Sequence, residues 1–205
     1  MSTHGDEYAS ALGRLQLPVS DRDHVQGPGD APVTLVEYGD YQCPYCGQAF
    51  PIVKELQRRS GNHLRFVFRN FPITSLHPDA LHAAEAAESV AASAGEKAFW
   101  AMHDLLFVHQ HDSATALSDD NLVRYAIAAG ADGQRTADDL ANDAMVERVR
   151  DDFQSGVRSG VNGTPTFFIN GARFDGAWND VQLFAAAIDE ALVIAHQSEG
   201  ASAGR

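Results

Sequence analysis

Apolar and polar positions along this chain fall into two rhythms. Residues 33–38 (VTLVEY) form an almost unbroken apolar run rich in β-branched side chains, bounded by Pro32 and Gly39. Such a run predicts a strand covered on both faces, with Glu37 as the anomaly inside it. After a turn over residues 39–42 the rhythm changes. From about Pro44, the side chains Ala49, Ile52, Val53 and Leu56 share one stripe of a helix. Proline in a first helical position costs nothing, because its missing N–H had no partner there. Pro51 is expected to kink this helix. Lys54, Arg58 and Arg59 suit its negative C-terminal end, and Gly61 can stop it in a left-handed conformation. Residues 64–70 (LRFVFRN) alternate, with Leu64, Phe66 and Phe68 on one side and Arg65, Val67 and Arg69 on the other. They predict a second strand, parallel to the first by the strand–helix–strand rule.

Residues 78–160 carry no strand pattern and divide into four predicted helices. The first, 78–94, is alanine-rich, starts near Pro78 and stops at Gly95. The second, 96–109, carries Phe99, Trp100, Leu105, Leu106 and Phe107, read as core between this block and the sheet. Ser118 caps 119–129, and Thr136 caps a fourth helix running to about residue 158. The chain then returns to strand: residues 166–170 (TFFIN) and 172–175 (ARFD) flank Asn170-Gly171, a strong hairpin signal. Asn179 or Asp180 caps a last helix whose Val181, Phe184, Ile188, Ala191 and Leu192 face inward. Residues 18–32 read as an irregular lead-in with room for one short edge strand.

The order is therefore β-α-β, a helical insertion, then β-β-α: an α/β fold with one mixed sheet. Its expected divisions are a flexible arm (1–18), a first α/β part (19–76), an all-helical insertion (77–160), a second α/β part (161–196) and a disordered tail (197–205).

Length and composition narrow the class. The 205 residues are 44% hydrophobic and 21% charged, the profile of a soluble globular chain. A net charge of −13 argues against binding a nucleic-acid backbone. No basic start followed by an apolar run marks a secretory signal, and no stretch approaches the roughly 20 apolar residues of a membrane span. The expectation is a cytoplasmic protein without a membrane partner.

The two cysteines, Cys43 and Cys46, carry the chemistry. They leave none over for a structural disulfide framework. Cys43-Pro44-Tyr45-Cys46 sits where a buried strand hands over to a helix. Cys43 lies at the helix cap, where unpaired N–H groups and the helix dipole stabilise a thiolate, the form that attacks disulfides. Cys46 lies one turn inside, placed to attack Cys43 and resolve a mixed disulfide. Pro44 stiffens the turn, and Tyr45 offers aromatic surface beside the nucleophile. Against this stands a zinc half-site, which needs two more ligands. His24, His63, His103, His109 and His111 offer nitrogen without ligand spacing, and no metal site is assigned.

Residues 37–46 (EYGDYQCPYC), the helical insertion, 99–104 (FWAMHD) and 163–166 (GTPT) together resemble the DsbA-like branch of the thioredoxin superfamily, over about residues 19–195. A similar domain occurs in bacterial proteins fused to sodium/proton antiporters. The resemblance implies a thioredoxin-like fold and a thiol–disulfide oxidoreductase without an organic cofactor. It implies a cis Pro165 against the two sulfurs and, beside it, a Thr164 backbone that pairs with an extended substrate segment. The implied substrates are protein or peptide thiols and disulfides, and the implied electron partner is a thioredoxin-type protein or a low-molecular-weight thiol.

Glu37, six residues before Cys43, has two readings. One is a buried acid with a raised pKa that manages protons for Cys46; the resembling family has an acid at this offset. The other is a strand-end carboxylate paired with Arg65 or Arg69. The strongly oxidising members of the family carry histidine where this chain has Tyr45. Tyrosine supplies no positive charge, so Cys43 is expected to be less acidic and the potential lower than in those oxidants. That favours a reductase or isomerase. Two other classes remain beside the enzyme: a metal-delivery module using the same thiolates, and a non-catalytic interaction domain.

Overall fold

The computed structural model describes residues 13–203. The elements in chain order are β1 (His24–Gln26), β2 (Val33–Gly39), α1 (Pro44–Ser60), a 3-10 turn (Gly61–His63), β3 (Leu64–Asn70), α2 (Ala80–Ala94), α3 (Glu96–His109), α4 (Asp119–Ala128), α5 (Gly133–Ala141), α6 (Val146–Arg158), β4 (Thr166–Ile169), β5 (Ala172–Phe174) and α7 (Val181–Ala203). No helix among the described residues is long and apolar enough to cross a membrane.

The strands form one mixed sheet in the order β1-β3-β2-β4-β5. The β2–β3 pair is parallel, and the other three pairs are antiparallel. β2 lies in the middle, and its side chains alternate between two cores. Leu35 joins Phe66, Phe68 and Phe167 on one face, covered by Val53 and Leu56 of α1, Phe184 and Ile188 of α7, and much of the insertion. Val36 and Tyr38 join Val67 and Phe168 on the other, with Val25 of β1 beside them, covered by Phe153 of α6 and by Leu15 and Val19 from the chain before β1. Full burial of one such side chain contributes roughly 1.5–3 kcal/mol. Close approach sets one residue at the end of β2: a Cβ at Gly39 would lie 2.3 Å from the Phe68 ring.

Several boundaries differ from the sequence reading. The helix expected from Thr136 to about residue 158 is two helices, so the insertion holds five rather than four. Asp132 caps α5, accepting from the backbone N–H of Gln134 (2.9 Å) and Arg135 (3.3 Å). The Thr136 hydroxyl donates back to the Asp132 carbonyl instead. Asp143 has φ 52, a left-handed residue that ends the run before α6 begins. The first insertion helix begins at Ala80, just after Pro78. The tail read as disordered from residue 197 is helical through Ala203.

The arm expected to be flexible falls mostly on residues 1–12, outside the described residues. Residues 14–18 are tied down. Arg14 bridges Ala172, and the Leu15 N–H donates to the Gly171 carbonyl at 2.9 Å. Leu17 and Pro18 offer their carbonyls to Arg69, which is 1% exposed and also grips Asp23 at 2.6 Å.

α1 runs without interruption through Pro51 and ends at Gly61, φ 51. Asn170 (φ 48) and Gly171 (φ 79) make the left-handed hairpin turn between β4 and β5. Asp180 caps α7, accepting from Gln182 and Leu183.

Candidate active site

The end of β2 and the start of α1 place two reduced cysteines at one spot. Cys43 occupies the cap position with extended backbone (φ −70, ψ 121), and Pro44 follows in the first turn. No acidic residue lies in that turn, so the positive helix end is left for the sulfur. Both cysteines are buried, at 3% and 0% exposure.

The two thiols differ in acidity. Cys43 is pulled down to about 5, first by a hydrogen bond from the Cys46 side chain and further by the side chain of Thr164 and backbone N–H groups of Cys46 and Tyr45; burial opposes this. Cys46 is pushed well above the usual thiol range by burial, then by Cys43 and by the nearby Glu37 charge. The Asp40 N–H, 3.4 Å from the Cys46 sulfur, works the other way. The pair is thus one sulfur held toward the anion and one held toward the thiol. Thioredoxin's nucleophile titrates near about 7 and DsbA's near about 3.5, so a value of about 5 lies between them.

Across the sulfurs, the Thr164–Pro165 peptide bond is cis. The Cys43 thiol lies 3.4 Å from the Thr164 carbonyl oxygen. The Thr164 hydroxyl is buried with no hydrogen-bond partner in the resting site, which leaves it available to a thiolate. Tyr45 points outward at 58% exposure.

Glu37 is 3% exposed, and one of its carboxylate oxygens has no partner. Burial, with the Cys43 charge second, raises its pKa to about 8. Neither arginine reaches it. The register sets Glu37 opposite Phe68 and Phe167, whereas Arg69 stands opposite Tyr38 and Arg65 opposite Thr34. Strand alternation therefore sends both arginines to the other face. Arg69 goes to Asp23, and Arg65 to the Thr34 hydroxyl and the Gly29 carbonyl.

Two residues that the sequence reading passed over hold the cysteine loop. Asp40 is 1% exposed. One of its oxygens accepts from the N–H groups of Gln42 (2.8 Å) and Cys43 (3.2 Å), the other from the Ile73 N–H and His77 Nδ1, both at 2.8 Å. Gln110, just beyond α3, donates to the carbonyls of Tyr41 (2.7 Å) and Cys43 (2.9 Å). Gly47 makes room for it: a Cβ there would lie 2.1 Å from the Gln110 side-chain oxygen. Gln42 and Asp79 close a reciprocal pair at 2.9 and 2.7 Å. The Asp-Tyr-Gln run before Cys43 was the available signal for Asp40, since a short acid three residues ahead of a cap often turns back on the backbone. No local signal marked Gln110.

Replacing Asp40 by asparagine puts an amide donor among these N–H donors. It is expected to cost roughly 1–3 kcal/mol of stability, read as a lower denaturant midpoint with an unchanged slope. His103 and Asp104 do not form a dyad. His103 is buried in a ring of aromatics with its Nδ1 3.2 Å from the Tyr41 hydroxyl, while Asp104 turns out to Lys54.

Comparisons with known proteins agree with this geometry. The family model described as thioredoxin matches residues 20–190. Among curated proteins, Na(+)/H(+) antiporter NhaA 1 of Salinispora arenicola is 46% identical over 179 residues, covering 87% of this chain and 26% of that protein. The chain thus spans about a quarter of that relative's length. Among solved structures, BdbD of Bacillus subtilis in its oxidised form superposes with a TM-score of 0.78 at 25% identity, covering 88% of this chain and 96% of that one. A thioredoxin-like oxidoreductase of Silicibacter pomeroyi gives 0.68 at 25% identity, covering 84% and 93%.

Proposed function

The chain belongs to the thioredoxin family, with the architecture of DsbA-like proteins, and from that premise we propose that it exchanges disulfides with protein or peptide thiols through Cys43. The observation that carries the reading is the asymmetry of the pair: a cap-position sulfur held toward the anion above a buried partner held toward the thiol.

In the reductive direction the Cys43 thiolate attacks one sulfur of a substrate disulfide. The substrate S–S bond breaks, a mixed disulfide forms on Cys43, and the released substrate thiolate takes a proton. Forming the mixed disulfide removes the Cys43 charge that helps hold the Glu37 proton in place, and Cys46 then gives its proton to the ionised form of Glu37 and attacks the Cys43 sulfur. The second substrate thiol leaves, and the Cys43–Cys46 disulfide retains the oxidation: the enzyme has lost two electrons and the substrate has gained them. The oxidative direction is the same sequence reversed. Thr164 and Pro165 form the wall opposite Cys43 where an extended substrate segment would lie, and Tyr45 offers the exposed aromatic surface beside it. An electron donor or acceptor, thioredoxin-type or a small thiol, would reset the pair.

Direction follows from potential. A more acidic nucleophile stabilises the dithiol and makes the disulfide more oxidising. Tyr45 brings no charge to Cys43, whose depression comes chiefly from hydrogen bonds. Equilibration against glutathione buffers is expected to give a potential between about −270 and −120 mV, the values of thioredoxin and DsbA. A midpoint outside that interval, or no intramolecular disulfide by mass spectrometry, would overturn the proposal.

A further inference from the structure

Glu85 of α2 is 1% exposed, and neither carboxylate oxygen has a hydrogen-bond partner among the described residues. The backbone N–H of Met145 lies nearby without closing a bond of normal geometry. Native proteins rarely leave a buried carboxylate in that state, because its lost hydration is costly. Two further groups converge on it. His82 stands three residues earlier on the same helix face. Asp143 comes from the break between α5 and α6. One donor atom from each of His82, Glu85 and Asp143 lies within 4.8 Å of the other two.

A fourth residue fixes the imidazole. Asp119, the first residue of α4, hydrogen-bonds His82 Nδ1 at 2.7 Å. With Nδ1 so engaged, Nε2 is the nitrogen left to carry a lone pair. A carboxylate behind a histidine in this way orients it as a metal ligand and raises its basicity.

We infer that His82, Glu85 and Asp143 form a binding site for a divalent transition-metal cation of the zinc type, with Asp119 as the residue that positions His82. The donor set selects the class of ion. Calcium and magnesium favour oxygen ligands throughout, whereas imidazole suits zinc and its neighbours. Three protein ligands leave the fourth tetrahedral position to water. The cation joins α2 to the α5–α6 break and offsets the two carboxylate charges of Glu85 and Asp143. It is a second site in the insertion, built from none of the residues assigned to the cysteine site.

Titration calorimetry with zinc chloride tests this on the full chain carrying Cys43→Ser and Cys46→Ser, which removes the competing thiolates. One equivalent of zinc is expected to bind and to raise the melting temperature, and excess magnesium or calcium is expected not to displace it. Asp119→Asn is expected to weaken binding about tenfold or more, and Glu85→Gln and Asp143→Asn by more than that. Asp143 is exposed, and asparagine tolerates its left-handed backbone, so that variant keeps the fold. No bound zinc, an affinity unchanged by Asp143→Asn, or ready displacement by calcium would overturn the assignment.

Discussion

Cys43→Ser is expected to abolish disulfide exchange outright, leaving only the background rate of the assay thiol. Serine keeps the extended cap backbone and is itself a favoured cap residue, so the fold should survive the loss of activity. Cys46→Ala has a different outcome. The attack still occurs, but the resolving sulfur is gone, and the mixed disulfide on Cys43 should accumulate and show as a mass increment equal to the bound thiol.

The same variant separates the sources of Cys43 acidity. The largest contribution in the native site is the hydrogen bond from the Cys46 side chain. Alkylation of the wild-type protein should therefore show a midpoint near about 5, and that of Cys46→Ala a clearly higher one. Residual exchange activity in Cys43→Ser, or an identical midpoint in the two proteins, would contradict the assigned roles.

Glu37→Gln is expected to stabilise the protein at neutral pH and to flatten its pH dependence. The folded-state pKa of about 8 lies above the ordinary 4.5. Between those values the native state keeps a proton that the unfolded chain releases. Stability therefore falls as pH rises through the window from about 4.5 to about 8, and levels off above it. At pH 7 the two and a half units between 4.5 and 7, at about 1.4 kcal/mol each, set an upper bound of about 3.5 kcal/mol on the gain. Glutamine keeps the shape and lifts that cost. The variant should also lose the proton acceptor for Cys46, so its resolving step should slow and show a changed pH profile. Denaturant melts at several pH values check the first effect, and single-turnover kinetics the second. A wild-type stability that stays flat between pH 5 and 8 would refute the first, and an unchanged resolving rate and pH profile in Glu37→Gln the second.

What could be read from the chain alone follows from range of interaction. β2, β3 and the Asn170-Gly171 hairpin were legible because period-two alternation and left-handed turn residues are properties of adjacent positions. The cysteine pair at a strand-to-helix junction was legible for the same reason. The break at Asp143 was not: Asp132 and Thr136 are both capping residue types, and the choice between them depends on where α5 docks. Asp40 gathers donors from Ile73 and His77, and Gln110 reaches back 67 residues to the Cys43 carbonyl. Such partners leave no local pattern. Of the two readings of Glu37, pairing with Arg65 or Arg69 fails on register: Glu37 stands opposite Phe68, and both arginines stand opposite residues on the other face of β2. That register is a long-range property which the chain alone does not fix.

The seam between the insertion and the sheet is apolar where Trp100 and Phe107 meet Phe66 and Phe68, and polar along the border at β1 and the end of β3. Asp152 of α6 accepts from the Asn70 N–H and pairs with Arg148, while Glu88 of α2 takes the Asn70 amide and His24. Glu96 holds both the His24 ring and the Val25 N–H, with His24 stacked on Phe99 at 3.5 Å. Border strand β1 is thus fastened as much by the helices as by its own ladder. A shortened version of this molecule, trimmed to its strands and flanking helices, would expose half-made bonds along that border and invite self-association. Anyone transplanting the helical block into a relative would have to carry His24, Asn70 and their neighbours with it.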